Sequence, residues 1–333
     1  MHNLDKHNLD IDFDFLNLTP LKKEHQPEKI HKEFRSLNIR GMVDDFYSTC
    51  IDWHKENIFY VVEGTVYAYN FYSEITKSIF TTNISITSVK YCSKQQSIVC
   101  GTSLGTVFFI DENTLKVTKK LIHKSRIGVI KNFQNREYFE YAIITGSRDR
   151  KTKIIDTRIK EPAMIFSSHT QEVCGIAQSN LLATGGNDNR AFIYDLRTTI
   201  PFGKVNEHKA AIKAIDWTIK GNNLITGGGS ADKTIKVFSI NKKVEMIKNI
   251  QFTNQVTNLK CLSDNSIICT FGYSDNDIKI LKNYKVEKVY EGHKNRVIHF
   301  GINEDQKYIA TGSGDFKIKF WKIGEENDLK KIK

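Results

Sequence analysis

The strongest constraint on this chain is that it repeats itself. Five segments align: TGSRDRKTKIID at 145–156, TGGNDNRAFIYD at 184–195, TGGGSADKTIKVFSI at 226–240, TFGYSDNDIKIL at 270–281 and TGSGDFKIKFWKI at 311–323. Their turn aspartates, Asp149, Asp188, Asp232, Asp275 and Asp315, are separated by 39, 44, 43 and 40 residues. A second marker precedes several units: HKSRIGVI at 123, HTQEVCGI at 169, HKAAIKAI at 208 and GHKNRVIHF at 292. Two markers recurring in one order at this period exclude an accidental match.

The period and order are those of WD repeats, which build a β-propeller. Two weaker units precede the five. CGTSLGTVFFID at 100–111 has Leu104-Gly105 where the acidic turn belongs, and VVEGTVYAYN at 61–70 follows the strand STCIDW at 48–53. Residues 32–323 then hold seven units of about 42 residues each. The expected fold is all-β, a seven-bladed propeller over 32–323 with short tails at 1–31 and 324–333. KTIKVF and KIKFW are expected as inner blade strands, packed on both faces by neighbouring blades. KEFRSLNI at 32–39 is expected to pair as the outer strand of blade seven, removing the open edge of the array.

Repetition also decides what the histidines do. His169, His208 and His293 stand at one place in their units, in loops leading into the first strand, where each can hydrogen-bond the turn aspartate of its blade. Read singly they look catalytic; read together they are structural, each such bond being worth about 1.5–3 kcal/mol.

Composition narrows the function. The chain has 49 Lys and Arg against 38 Asp and Glu, a formal charge of +11, which favours acidic partners without naming one. Neither an RNP motif nor a zinc finger accompanies that charge, so no specific nucleic-acid binding is expected. No 18-residue apolar stretch argues for a membrane span, and MHNLDKHNLDIDFDF does not read as a secretory signal. The six cysteines never form CxxC, a scatter that fits reduced, mostly buried thiols in an intracellular protein better than a metal site or disulfide framework. GxGxxG, GxxxxGK[ST] and HExxH are missing, and GTSLG at 101–105 belongs to a repeat unit, so no enzyme and no cofactor is expected. Outside the ring, DIDFDFLNLTPLKKEHQPEK at 10–29 is either a solvated leader or a segment that docks on a larger partner. GEENDLKKIK at 324–333 is either a frayed helix or a peptide captured by a partner pocket.

Several phrases are more specific than a WD turn. DDFYSTCIDW at 44–53, HTQEVCGI at 169–176, ATGGNDNRAFIYD at 183–195, HKAAIKAIDW at 208–217, TGGGSADKTIKVF at 226–238, SDNDIKIL at 274–281 and GHKNRVIHF at 292–300 closely resemble the fizzy family. That family comprises the cell-division-cycle-twenty and fizzy-related activators of the anaphase-promoting complex. The resemblance runs from about 32 to 323.

The resemblance implies a non-enzymatic adaptor in nucleus and cytoplasm that recruits degron-bearing cell-cycle proteins to a ubiquitin ligase and stimulates it. Its implied partners are anaphase-promoting complex subunits, degron-bearing substrates and checkpoint inhibitors. Carried over, the polar lining of the KEN pocket would include Asp45, Asn187, Ser230, Gln255 and Arg296. Asp45 can meet the degron lysine, Arg296 the glutamate, and the neutral groups an amide and the backbone. Without the resemblance, Asn187 and Ser230 read as residues that shape turns. Asp44 and Asp45 are the acidic candidates of the destruction-box groove between blades one and seven, where Phe316 replaces a typical glutamate. No match to the family's Asp-Arg-Tyr-Ile-Pro-x-Arg box occurs, whereas Ile332-Lys333 resembles its ligase-docking Ile-Arg ending. The alternative is a WD scaffold of another complex.

Overall fold

A computed structural model describes residues 30–133, 141–241 and 243–324. Residues 1–29 of the docking tail expected at 1–31, and the Ile332-Lys333 ending, lie outside the described residues.

The described residues form seven antiparallel sheets, which follow one another along the chain as the period requires. Blades one to six start from strands 51–81, 86–121, 127–166, 173–205, 212–251 and 256–290. Blade seven takes three strands from 297–322 and its fourth from Arg35–Asn38. That strand pairs antiparallel with Lys317–Lys322, Arg35 opposite Phe320 and Asn38 opposite Lys317. KTIKVF and KIKFW, expected as inner strands, are the third strands of their blades, two steps out from the strand that lines the channel. Blade six gains a fifth strand, since Ile30–His31 adds in parallel to Val289 and Tyr290. The sequence gives no hint of that addition.

Burial explains why the ring is stable. Seven apolar clusters are distributed one to each junction between neighbouring blades. The junction of blades seven and one is the aromatic-rich one. There Trp53, Tyr69, Phe71 and Phe320 pack together, and Arg35 lies over the Phe71 ring at 4.8 Å while pairing with Glu74 at 2.8 Å. The closing strand thus contributes packing as well as backbone hydrogen bonds.

Within a blade, the turn and its approach loop are tied by a buried relay. His123, His169, His208 and His293 place Nδ1 2.9–3.0 Å from Asp149, Asp188, Asp232 and Asp315. Their Nε2 atoms lie 2.7–2.9 Å from Thr145, Thr184, Thr226 and Thr311. A carboxylate can only accept, so Nδ1 carries the proton, and Nε2 accepts from the threonine hydroxyl. In blade seven Trp321 Nε1 adds a bond to Thr311 at 2.7 Å.

Two blades solve the same problem otherwise. In blade six Phe252 takes the histidine's place and packs on Phe271 at 4.9 Å, while Asp275 accepts from Thr253 at 2.8 Å. In blade two the turn is tied instead to the loop leading on to blade three: the backbone of Gly105 (φ +84°) accepts from the amides of Ile122 and His123 at 3.0 Å each. A β-carbon at Gly105 would lie 2.1 Å from the His123 carbonyl oxygen, so the close approach and the left-handed backbone both require glycine.

All six cysteines are buried and unpaired. Burial pushes the Cys50 and Cys92 thiols up to about 12, leaving them as packing groups. Among the described residues, no His, Cys, Asp and Glu cluster could hold a metal ion, and no helix is long and apolar enough to cross a membrane.

Candidate functional site

The loops that lead into the innermost strands all open on one face. In blades two to seven the residue just ahead of that strand is Ser85, Arg126, Glu172, Ala211, Gln255 and Arg296 in blade order, and Tyr47 stands at the matching offset in blade one. Across the rim of the central channel runs the segment 43–48. It is held from below by His299, whose Nε2 donates to the Val43 carbonyl at 2.9 Å while Nδ1 accepts from the Cys50 amide at 3.2 Å. Burial and the nearby Lys213 charge hold His299 down to about 4, so it stays neutral.

Lys213 supports the segment from the channel side. Its Nζ donates to the carbonyls of Ser48 at 3.1 Å and Ile298 at 2.9 Å, under the Phe46 ring at 5.5 Å. Burial lowers Lys213 to about 8. Phe46 itself packs on Cys174 and Ala211. The segment therefore closes one mouth of the channel and presents its polar side chains outward.

Those side chains fall into two groups. On the side of blades three and four, Arg126 is the hub. It forms a two-pronged pair with Glu172 at 2.7 and 2.8 Å and a single bond to Asp45 at 2.6 Å, and lies over the Tyr47 ring at 5.2 Å. The Glu172 hydrogen bonds hold the Arg126 guanidinium more firmly protonated than usual. Tyr47 donates its hydroxyl to Asn187 at 2.6 Å, and Asn187 donates to Gln171 at 2.6 Å. On the side of blades six and seven, Arg296 pairs with Asp44 at 2.6 Å and lies over the Tyr273 ring at 5.6 Å.

Asp44, Asp45, Asn187 and Arg296 thus meet along one segment, and each already has a partner within the chain. Ser230 is exposed on blade five. Gln255 is buried, its side chain against Gly272. Arg126, Glu172 and Tyr47 escaped the sequence reading, although the register that marks Gln255 and Arg296 also marks them. The arrangement presents alternating cations, carboxylates, amides and aromatic faces, which suits an extended peptide with both charge signs.

The channel beneath has a volume of about 280 Å³.

Comparison with known proteins agrees with the propeller fold. The sequence signature of the CDC20/Fizzy WD40 domain matches residues 37–321. Protein FIZZY-RELATED 2 of Arabidopsis thaliana is 32% identical over 89% of this chain and 63% of its own length. The WD repeat-containing protein srw1 of Schizosaccharomyces pombe is 30% identical, over 87% of this chain and 53% of its own length. The APC/C activator protein CDH1 of Saccharomyces cerevisiae is 28% identical over 95% and 56%. The chain therefore spans between about half and two thirds of the length of these curated relatives. A chain in the crystal structure of the mitotic checkpoint complex superposes with a TM-score of 0.83 at 27% identity, covering 92% of this chain and 99% of its own. With its signature matched across all seven blades and its propeller shared, this chain belongs to the CDC20/Fizzy WD40 family.

Proposed function

We propose that this protein is a substrate-recruiting adaptor and activator of the anaphase-promoting complex, gripping KEN-box and destruction-box degrons on the face crossed by residues 43–48. The observation that carries this reading is the pairing of Asp44 and Asp45 with Arg296 and Arg126, from opposite sides of one segment. A KEN peptide would exchange with these internal pairs, its glutamate taking Arg296, its lysine the Asp45–Glu172 side, and its amide Asn187. The exchange conserves charge-assisted bonds, so binding need not leave a buried charge unpaired.

The partners that follow are anaphase-promoting complex subunits, degron-bearing cell-cycle proteins and checkpoint inhibitors, met in nucleus and cytoplasm. Two relatives support this through their names, one an APC/C activator and one, from Dictyostelium discoideum, an anaphase-promoting complex subunit. Chemistry on the substrate is left to the ligase.

The test is fluorescence anisotropy with a labelled KEN peptide. The intact peptide should bind, Arg296→Glu should weaken it at least about tenfold, roughly 1.4 kcal/mol, and Asn187→Ala should weaken it less. No binding of intact KEN or destruction-box peptides would sink the site and favour a scaffold in another complex.

A further inference from the structure

Five residues beyond the rim position, each innermost strand presents a second side chain or backbone to the channel. In blade order these are Asp52, Lys90, Lys131, Ala177, Asp216, Lys260 and Gly301, and all seven line the cavity. Five residues of strand put this ring about 16 Å from the degron face. It is a band of three lysines and two aspartates, with two small residues leaving space.

The charges in the band are unequally matched. Lys90 pairs with Asp52 at 2.5 Å, and the Tyr91 amide donates to the same carboxylate at 2.8 Å. Lys260 pairs with Asp216 at 3.0 Å, and the Cys261 amide donates to that carboxylate at 2.9 Å. Each aspartate is thus claimed by the following blade. Lys131 lies between Lys90, already turned to Asp52, and Ala177, which offers nothing. Among the described residues Lys131 has no carboxylate partner. Its side chain is exposed to the cavity, and enclosure by the ring, then the charges of Lys90 and Lys260, lower it to about 8. With Lys213 higher in the same cavity, the lining carries four lysines against two aspartates.

We propose that this band is a binding site for a small multivalent oxyanion of the phosphate class, seated on Lys131, with Lys90 on the neighbouring blade and Lys260 across the channel. Three cations converging from different blades suit a tetrahedral group with several charged oxygens better than a single carboxylate. A dianion would balance the two positive charges left over in the lining. The volume, about 280 Å³, sits at the small end of ligand cavities, which selects inorganic phosphate or diphosphate over a nucleotide. Since residues 43–48 cover the other mouth, the anion enters from the face opposite the degron site. The proposal does not depend on the function proposed above.

The experiment is isothermal titration of the full chain with phosphate, diphosphate and ATP at low salt. Diphosphate should bind with a sub-millimolar constant, and Lys131→Met should weaken it at least about tenfold. Lys260→Met, which also leaves Asp216 without its lysine, should weaken it too. Melting curves and circular dichroism of each variant establish that it is folded, and either folded variant alone is sufficient. Diphosphate binding left unchanged in a folded variant would overturn the proposal. So would the lack of any heat up to about 10 mM, a limit near 3 kcal/mol of binding. ATP binding more tightly than diphosphate would overturn the size argument and with it the assignment.

Discussion

Arg296 donates its Nε–H to the Asp44 carboxylate across 2.6 Å, joining residues 252 positions apart in the chain. A second bond, from Nη2 to the Asp44 carbonyl at 2.9 Å, fixes the guanidinium plane. The cation assigned to the degron glutamate is therefore oriented before any peptide arrives, at the cost of an internal competitor. Replacing that competitor should show its cost. Asp44→Asn is expected to tighten a KEN peptide about threefold, a gain of roughly 0.6 kcal/mol, with no gain for a peptide carrying Gln in place of Glu. Anisotropy titrations with the two peptides decide it, and equal gains for both would refute the exchange.

Arg126 is expected to matter for stability more than Arg296 does. It neutralises Glu172, whose side chain is only 7% exposed, together with Asp45. Arg126→Met strands a buried carboxylate and should cost about 3 kcal/mol, most of it regained in the double variant with Glu172→Gln. Urea denaturation of the three proteins measures this, and equal losses in single and double variants would contradict it.

The histidine relays set an acid limit. Burial lowers the folded-state values of His123, His208 and His293 below 6.5, so the unfolded chain binds protons there first. Their contribution is complete above pH 6.5 and is lost as pH falls below it. Asp149 is held down to about 2, against 3.8, by its hydrogen bond from His123, and its share is lost on descending from 3.8 towards 2. Both effects have the same sign. These groups leave the melting temperature level just above pH 6.5 and lower it in two stages on acidification. His208→Gln should weaken the first stage, as read by melting curves across pH.

Gly105→Ala should be among the most damaging small changes in the ring. The new methyl would meet the His123 carbonyl at 2.1 Å while the residue holds φ +84°. A loss of about 3 kcal/mol or more is expected in chemical denaturation. A loss below about 1 kcal/mol would mean that the turn relaxes freely.

Phe316 offers a gain-of-function test. It occupies a left-handed position (φ +60°), half exposed, in the blade-seven turn whose Gly314 abuts Asp44. Phe316→Glu leaves the backbone demand unchanged and adds a carboxylate beside the expected groove. Affinity for an arginine-containing destruction-box peptide should rise about three- to tenfold, and affinity for the KEN peptide should stay constant.

What the sequence revealed was whatever repetition could carry. The His–Asp spacing, the seven units and the closing strand from KEFRSLNI are local patterns or simple edge arithmetic. The rim was half legible. Arg126 and Glu172 stand at the same offset as Gln255 and Arg296, but their importance arises only when Asp45 is brought across the ring to meet them. The Tyr47–Asn187 bond spans 140 positions and the Lys213–Ser48 bond 165, and neither has a periodic signature. The parallel strand Ile30–His31 is two residues long, too short for any pattern.

The closing strand also sets the order in which the ring can be made. Blades one to five complete their sheets from residues near one another in sequence, so each can form as soon as its own stretch of chain is available. Arg35–Asn38 must wait for Lys317–Lys322. During synthesis that early strand stays an unpaired edge until the last blade emerges, and only then is the long loop between them closed. The seam that secures the finished ring is thus the last part of it to be built.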